Sequence, residues 1–108
     1  MATRRSEPTE STPDLDVASA VIGNRTKSII VRHLWTNGPS YGTDILAATG
    51  LNGATMSLAM QQLEQWQIVS ASIPPEKRHG RAVEYTLDKA RIHELVTAWT
   101  DFIEGRPA

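Results

Sequence analysis

The apolar positions change period twice along the chain. Residues 1–13 carry no apolar side chain beyond Met1 and Ala2 and are rich in Ser, Thr, Pro and Glu. Such a segment buries too little surface to offset its ordering entropy, which predicts a disordered tail. From Asp14, DLDVASAVIG reads as a short helix ended by Gly23. Asn24 then stands as an N-cap for RTKSIIVRHLWT, in which Ile30, Val31 and Leu34 share a face. Asn37-Gly38-Pro39 breaks that helix, and TDILAAT (43–49) supplies another that stops at Gly50. Asn52 is a cap for GATMSLAMQQLEQW, where Met56, Met60 and Leu63 recur at i, i+4 and i+7 as the buried stripe.

After Trp66 the period shortens to two. IVSASI (68–73) and RAVEYTL (81–87) alternate as strands do, and PPEKRHG joins them as a turn with a basic tip. The pattern predicts a two-stranded hairpin whose loop projects from the body. Asp88 then opens a helix over 88–104 with a nearly continuous stripe of Ile92, Leu95, Val96, Trp99, Phe102 and Ile103. Residues 105–108 are left as a second short tail. Four helices, a hairpin and a last helix give the plan of a winged helix-turn-helix, mainly α with a small β-hairpin. Its 108 residues suit one domain, expected over 14–104, with a single core.

Composition narrows the chemistry. The chain has no cysteine, which removes disulfides, thiolate metal sites and cysteine nucleophiles. No apolar run approaches the roughly 20 residues of a membrane span, and the N-terminus lacks the apolar segment of a secretory signal, so a cytoplasmic protein is expected. The net charge is −1, whereas DNA-binding domains are commonly basic. The distribution offsets the total. The first sixteen residues and the last twenty-five are each net acidic, while Arg25, Lys27, Arg32, Lys77, Arg78 and Arg81 between them outnumber Asp44, Glu64 and Glu76.

Several stretches carry a family likeness: GN-x-T-K (23–27), NGPSYGTDILAATGL (37–51), T-M-S (55–57), QQLEQWQIV (61–69) and GRAVEYTL (80–87). Together they resemble the ArsR family of winged helix-turn-helix repressors over roughly residues 15–104. SYGTDILAATGL equally resembles the PadR family, but Ser57 and Leu58 stand where PadR-like reading helices tend to carry Tyr-Pro. The ArsR resemblance implies a homodimer that binds a palindromic double-stranded operator and represses transcription, often until a ligand releases it. Its metal sites do not carry over. Helix 43–49 has no Cys, and on the last helix Asp88 and His93 lack the partner that Ala90 displaces. No metal and no cofactor is expected, and a small-molecule effector has no specific signal.

The same resemblance puts the helix at 53–66 in the major groove, exposing Asn52, Ala54, Thr55, Ser57, Leu58, Gln61 and Gln62. Gln bonds bidentately to the N6/N7 edge of adenine, and Thr or Leu packs on a thymine methyl. This helix therefore suits an A·T-leaning site, yet with no Lys or Arg it supplies no cationic affinity. That part is assigned to the wing at 74–81, through Lys77, Arg78, His79 and Arg81, set along the backbone or in a minor groove. Arg25, Lys27 and Arg32 are candidate additions, and Arg4 and Arg5 a candidate minor-groove arm. Two wings with three fixed cations each predict a log–log salt slope of roughly −4 to −6.

The last helix carries more apolar surface than one small core needs, so Ile92, Leu95, Val96, Trp99, Phe102 and Ile103 are assigned to dimerisation. Enzyme function is not expected. The three histidines lie in different elements, and neither a phosphate-binding glycine loop nor HExxH is present. Two alternatives keep the fold: a DNA-binding accessory protein of plasmid partition or recombination, and a winged helix that docks a protein around Leu58. Trp35, Trp66 and Trp99 are read as core residues before pocket residues.

Overall fold

The computed structural model describes residues 13–106. Five α-helices and three short strands follow the order α1 (Pro13–Ile22), α2 (Arg25–Asn37), β1 (Ser40–Tyr41), α3 (Gly42–Thr49), α4 (Gly53–Gln65), β2 (Val69–Ala71), β3 (Glu84–Leu87) and α5 (Lys89–Ile103). This is a winged helix-turn-helix. Pro13 begins the first helix, where its missing N–H costs nothing; the stretch 1–12, with Arg4 and Arg5, lies outside the described residues.

Local chemistry sets most helix ends. The Asn24 carboxamide oxygen accepts from the Lys27 N–H at 2.9 Å, and Asn52 accepts from Ala54 and Thr55 at 2.9 and 3.2 Å. Asp88 accepts from the Arg91 N–H at 3.0 Å. Each cap satisfies a donor that has no intrahelical partner. Gly50 ends α3 in the left-handed region, while Gly38 ends α2 at φ 79°, ψ −166°, a region all but closed to side chains. The last helix closes on Gly105, whose N–H and that of Arg106 donate back to Phe102 and Asp101. Residues 105 and 106, expected in a tail, are thus the cap of α5.

The sheet differs from the expected two-stranded hairpin. It has three antiparallel strands in the order β1-β3-β2, with Ser40 opposite Tyr85 and Val69 opposite Leu87. Two-residue β1 has no period for a sequence to display; its pairing with β3 fastens the entrance of α3 to the wing. The strands are also shorter than the alternation suggested, because 72–83 fold as a loop containing a single 3₁₀ turn at Pro75–Lys77.

Ile30, Leu34, Ile45, Met60, Leu63 and Ile68 are fully buried and join α2, α3, α4 and the start of β2 in one core. Deleting one such side chain to Ala costs about 2–5 kcal/mol. Leu95 adds α5 to this core, and α1 lies along α5. Arg91 fixes that packing: its Nη1 is 2.9 Å from Asp14 of α1, and its Nε donates to the Trp66 carbonyl at 3.3 Å. The Asp14 hydrogen bond holds the Arg91 pKa above its ordinary value against a smaller loss from burial. No helix among the described residues is long and apolar enough to cross a membrane.

Gly38→Ala lowers the free energy of unfolding by about 1–3 kcal/mol in urea titration, because no favourable φ/ψ exists there for alanine. Gly50→Asn costs less, since Asn tolerates the left-handed region. Equal losses contradict the assignment.

Candidate nucleic-acid interface

Helix α4 divides cleanly into two faces. Met56, Ala59, Met60 and Leu63 are buried, and Ala54, Thr55, Ser57, Leu58 and Gln61 are exposed with Gln62 half-buried. The i, i+4, i+7 stripe that seats the helix therefore determines which residues face outwards. None of the Thr55, Ser57, Gln61 and Gln62 side chains bonds another described residue, so their donors and acceptors are free. Asn52 differs, because its carboxamide oxygen is committed to the cap. Leu58 is 61 % exposed. Among the described residues no neighbouring helix covers it, so intrachain packing does not explain an apolar residue there.

The exit of α4 aims the wing. Gln67 adopts φ 60°, and its N–H donates to the Glu64 carbonyl while the Ile68 N–H donates to Leu63, both at 3.0 Å. This is a Schellman closure with Gln in the position usually held by Gly, and the buried pair Leu63 and Ile68 supplies its apolar contact. The chain leaves directly into β2, so the wing's direction follows from that of α4.

The wing's cations are not equivalent. Lys77, His79 and Arg81 are exposed, and none bonds another described side chain. Arg78 is turned inwards. Its Nη2 lies 2.8 Å from Glu64 Oε1, its Nη1 3.4 Å from Oε2, and its Nε donates to the Ile73 carbonyl at 2.9 Å. The two side chains are 23 % and 20 % exposed. The hydrogen bond to Glu64 raises the Arg78 pKa above its ordinary value, with desolvation opposing it. Burial raises the pKa of the neighbouring Tyr85, with Arg78 partly offsetting that. The basic cluster legible in KRHGR thus presents two fixed charges, Lys77 and Arg81, with a third held by the only acid of α4.

The candidate cations of α2 also separate. Arg25 and Arg32 are exposed, but Lys27 is only 8 % exposed, with its ammonium 5.7 Å from the Trp66 ring centroid. That cation–π contact and its burial take Lys27 away from any phosphate. Neither Lys27 nor Arg91 stood out in the sequence as a structural cation, because their partners are distant in the chain.

On α5 the apolar stripe splits. Leu95 is 2 % exposed and belongs to this chain's own core, with Ile92 and Trp99 packed against it. Val96, Phe102 and Ile103 remain exposed. Beside Val96 a cavity of about 270 Å³ opens between α1, α2 and α5, lined by Val21, Ile22, Val31, Trp35 and Ile92 among others. Lys89 lies 4.9 Å from the Trp35 ring centroid. Of the three tryptophans only Trp35 lines that cavity; Trp66 and Trp99 pack on the core.

No family model and no curated protein matches the sequence. Solved structures do match. The antimony-specific transcriptional repressor AntR is 24 % identical, with a TM-score of 0.62 over 85 % of this chain and 79 % of its own. BpsR of Bordetella bronchiseptica, whose DNA binding is regulated by 6-hydroxynicotinic acid, is 18 % identical with a TM-score of 0.57 over 85 % and 76 %. The transcriptional regulator Tm0710 of Thermotoga maritima is 16 % identical with a TM-score of 0.55 over 85 % and 68 %. At these identities the likeness is one of fold, and the fold is one that transcriptional regulators use.

Proposed function

We propose that this protein is a homodimeric, sequence-specific double-stranded DNA-binding regulator, acting as a repressor at a palindromic site. The observation that carries the reading is the outward face of α4, where Ser57, Leu58, Gln61 and Gln62 lie unpaired on a helix seated by its other face. In the major groove Gln61 and Gln62 suit adenine edges, and Leu58 suits a thymine methyl. Lys77 and Arg81 grip phosphate or a minor groove, with His79 beside them. Structural neighbours that regulate transcription support the same reading. It makes no use of catalysis.

The dimer is assigned to Val96, Phe102 and Ile103, joined by the exposed margins of Ile92 and Trp99. Ile22 and Trp35 extend this apolar surface across the neighbouring cavity. A contiguous apolar surface of this kind on a small domain marks an interface, and two-fold pairing would present two reading helices to two half-sites.

Selection from a randomised duplex pool tests the reading. It is expected to enrich a two-fold symmetric, A·T-leaning sequence, with a salt slope of about −4 from two free cations per protomer. Gln61→Ala or Gln62→Ala then costs about 1–3 kcal/mol on the selected site and little on random DNA. Salt-sensitive binding with no enriched sequence would point to an accessory role, and no binding at low salt would sink the DNA reading. For the dimer, Phe102→Asp with Ile103→Asp gives a folded monomer in sedimentation equilibrium, with unchanged circular dichroism. A wild-type monomer, or a variant that stays dimeric, contradicts the assignment.

A further inference from the structure

Residues 74–82 carry the wing's cations, yet among the described residues one side-chain hydrogen-bond pair alone ties them to a helix: Arg78 to Glu64. Glu64 is three residues after Gln61 and seven after Ser57, so it shares their face of α4. It is also the only charged residue of that helix. Left alone, a carboxylate there would repel a phosphate backbone. Closed on Arg78 in a bidentate pair, it is neutralised and its oxygens are occupied. Arg78 in turn has its Nε, Nη1 and Nη2 engaged by Glu64 and the Ile73 carbonyl. Swinging Arg78 out to a phosphate would bare Glu64 beside the DNA, so the closed pair is the arrangement that suits a bound duplex.

We propose that Glu64 is a positioning residue for DNA recognition: it holds Arg78 out of phosphate contact and uses it to fix the wing's angle to the reading helix. The distance between bases read by Gln61 and phosphates gripped by Lys77 and Arg81 is then constant, and that distance contributes to specificity. The inference rests on the DNA reading above. It differs from an ordinary basic wing in one respect: the cation nearest the reading helix is the one that does not bind DNA.

Salt dependence separates the cations, since each phosphate neutralised contributes about −0.9 to the log–log slope. Arg81→Gln is expected to flatten the dimer's slope by about 1.8, whereas the double variant Glu64→Gln with Arg78→Gln, which removes the pair without baring the acid, leaves it unchanged. Glu64→Gln releases Arg78, so the slope steepens from about −3.6 to about −5.4 and binding to random duplex tightens several-fold. Its ratio of selected-site to random-site affinity falls at least tenfold. The charge-swapped double variant, Glu64→Arg with Arg78→Glu, rebuilds the pair and returns both slope and ratio towards wild type. A merely structural pair would move thermal stability alone. Equal flattening by the Glu64→Gln, Arg78→Gln double variant and by Arg81→Gln would show that the pair opens on DNA, and would overturn the proposal. So would an unchanged slope and ratio in Glu64→Gln. Wild-type protein that binds no duplex at low salt would remove the DNA reading itself, an outcome distinct from a wing that binds without the latch.

Discussion

The architecture turns on how the chain leaves α4. Between Leu63 and Ile68 it reverses through a left-handed Gln67, with two amide bonds closing the helix end and both flanking side chains fully buried. Three further contacts, from α5 and α2, fasten to the same few residues. Arg91 of α5 donates to the Trp66 carbonyl, the Asp88 N–H donates to the Ile68 carbonyl at 2.9 Å, and Lys27 of α2 lies over the Trp66 ring. A left-handed non-glycine residue is costly, and it persists where its surroundings allow no alternative. Helix α4, the wing and the last helix therefore share one anchor, and their relative positions are set together.

That anchoring bears on how a protein of net charge −1 could carry the DNA-binding surface proposed above. Charge is placed rather than accumulated. The outward face of α4 is largely neutral and hydrogen-bonding, the wing tip presents Lys77 and Arg81, and the acid of α4, Glu64, is paired with Arg78. The remaining acids sit largely on the terminal helices, where Asp14 pairs with Arg91 and Glu104 with Arg106. On the function proposed above, a modest cationic contribution makes base contacts a larger fraction of total affinity, which favours discrimination over tight general binding.

What the sequence made legible was local. Asn24, Asn52 and Asp88 cap their helices through backbone groups two or three residues away, and the spacing of Met56, Met60 and Leu63 sufficed to orient α4. What it concealed depended on distance along the chain. Ser40 and Tyr41 become a strand only because β3 arrives beside them more than forty residues later. Lys27 reads as a surface cation until Trp66 covers it, and Arg78 reads as one more wing charge until Glu64, fourteen residues earlier, is found beneath it. Gln67 gave no warning, since the usual mark of a left-handed helix end is Gly. On α5 the stripe was visible but its division was not: a period shows that a face is apolar, not whether the chain's own core or another molecule covers it. Of the candidate site, the outward face of α4 was legible by period, and the inequality of the wing cations was not.

The central claim is that reading and gripping are divided between α4 and the wing tip. Amide chemical-shift mapping during titration with a selected duplex tests it most directly. Shifts concentrated at residues 54–62 and 77–81 are expected, with the Arg78 and Glu64 side-chain signals keeping the mutual contact they have in the free protein. Shifts confined to the surface around Ile22, Trp35 and Val96, or absent from α4, would contradict it.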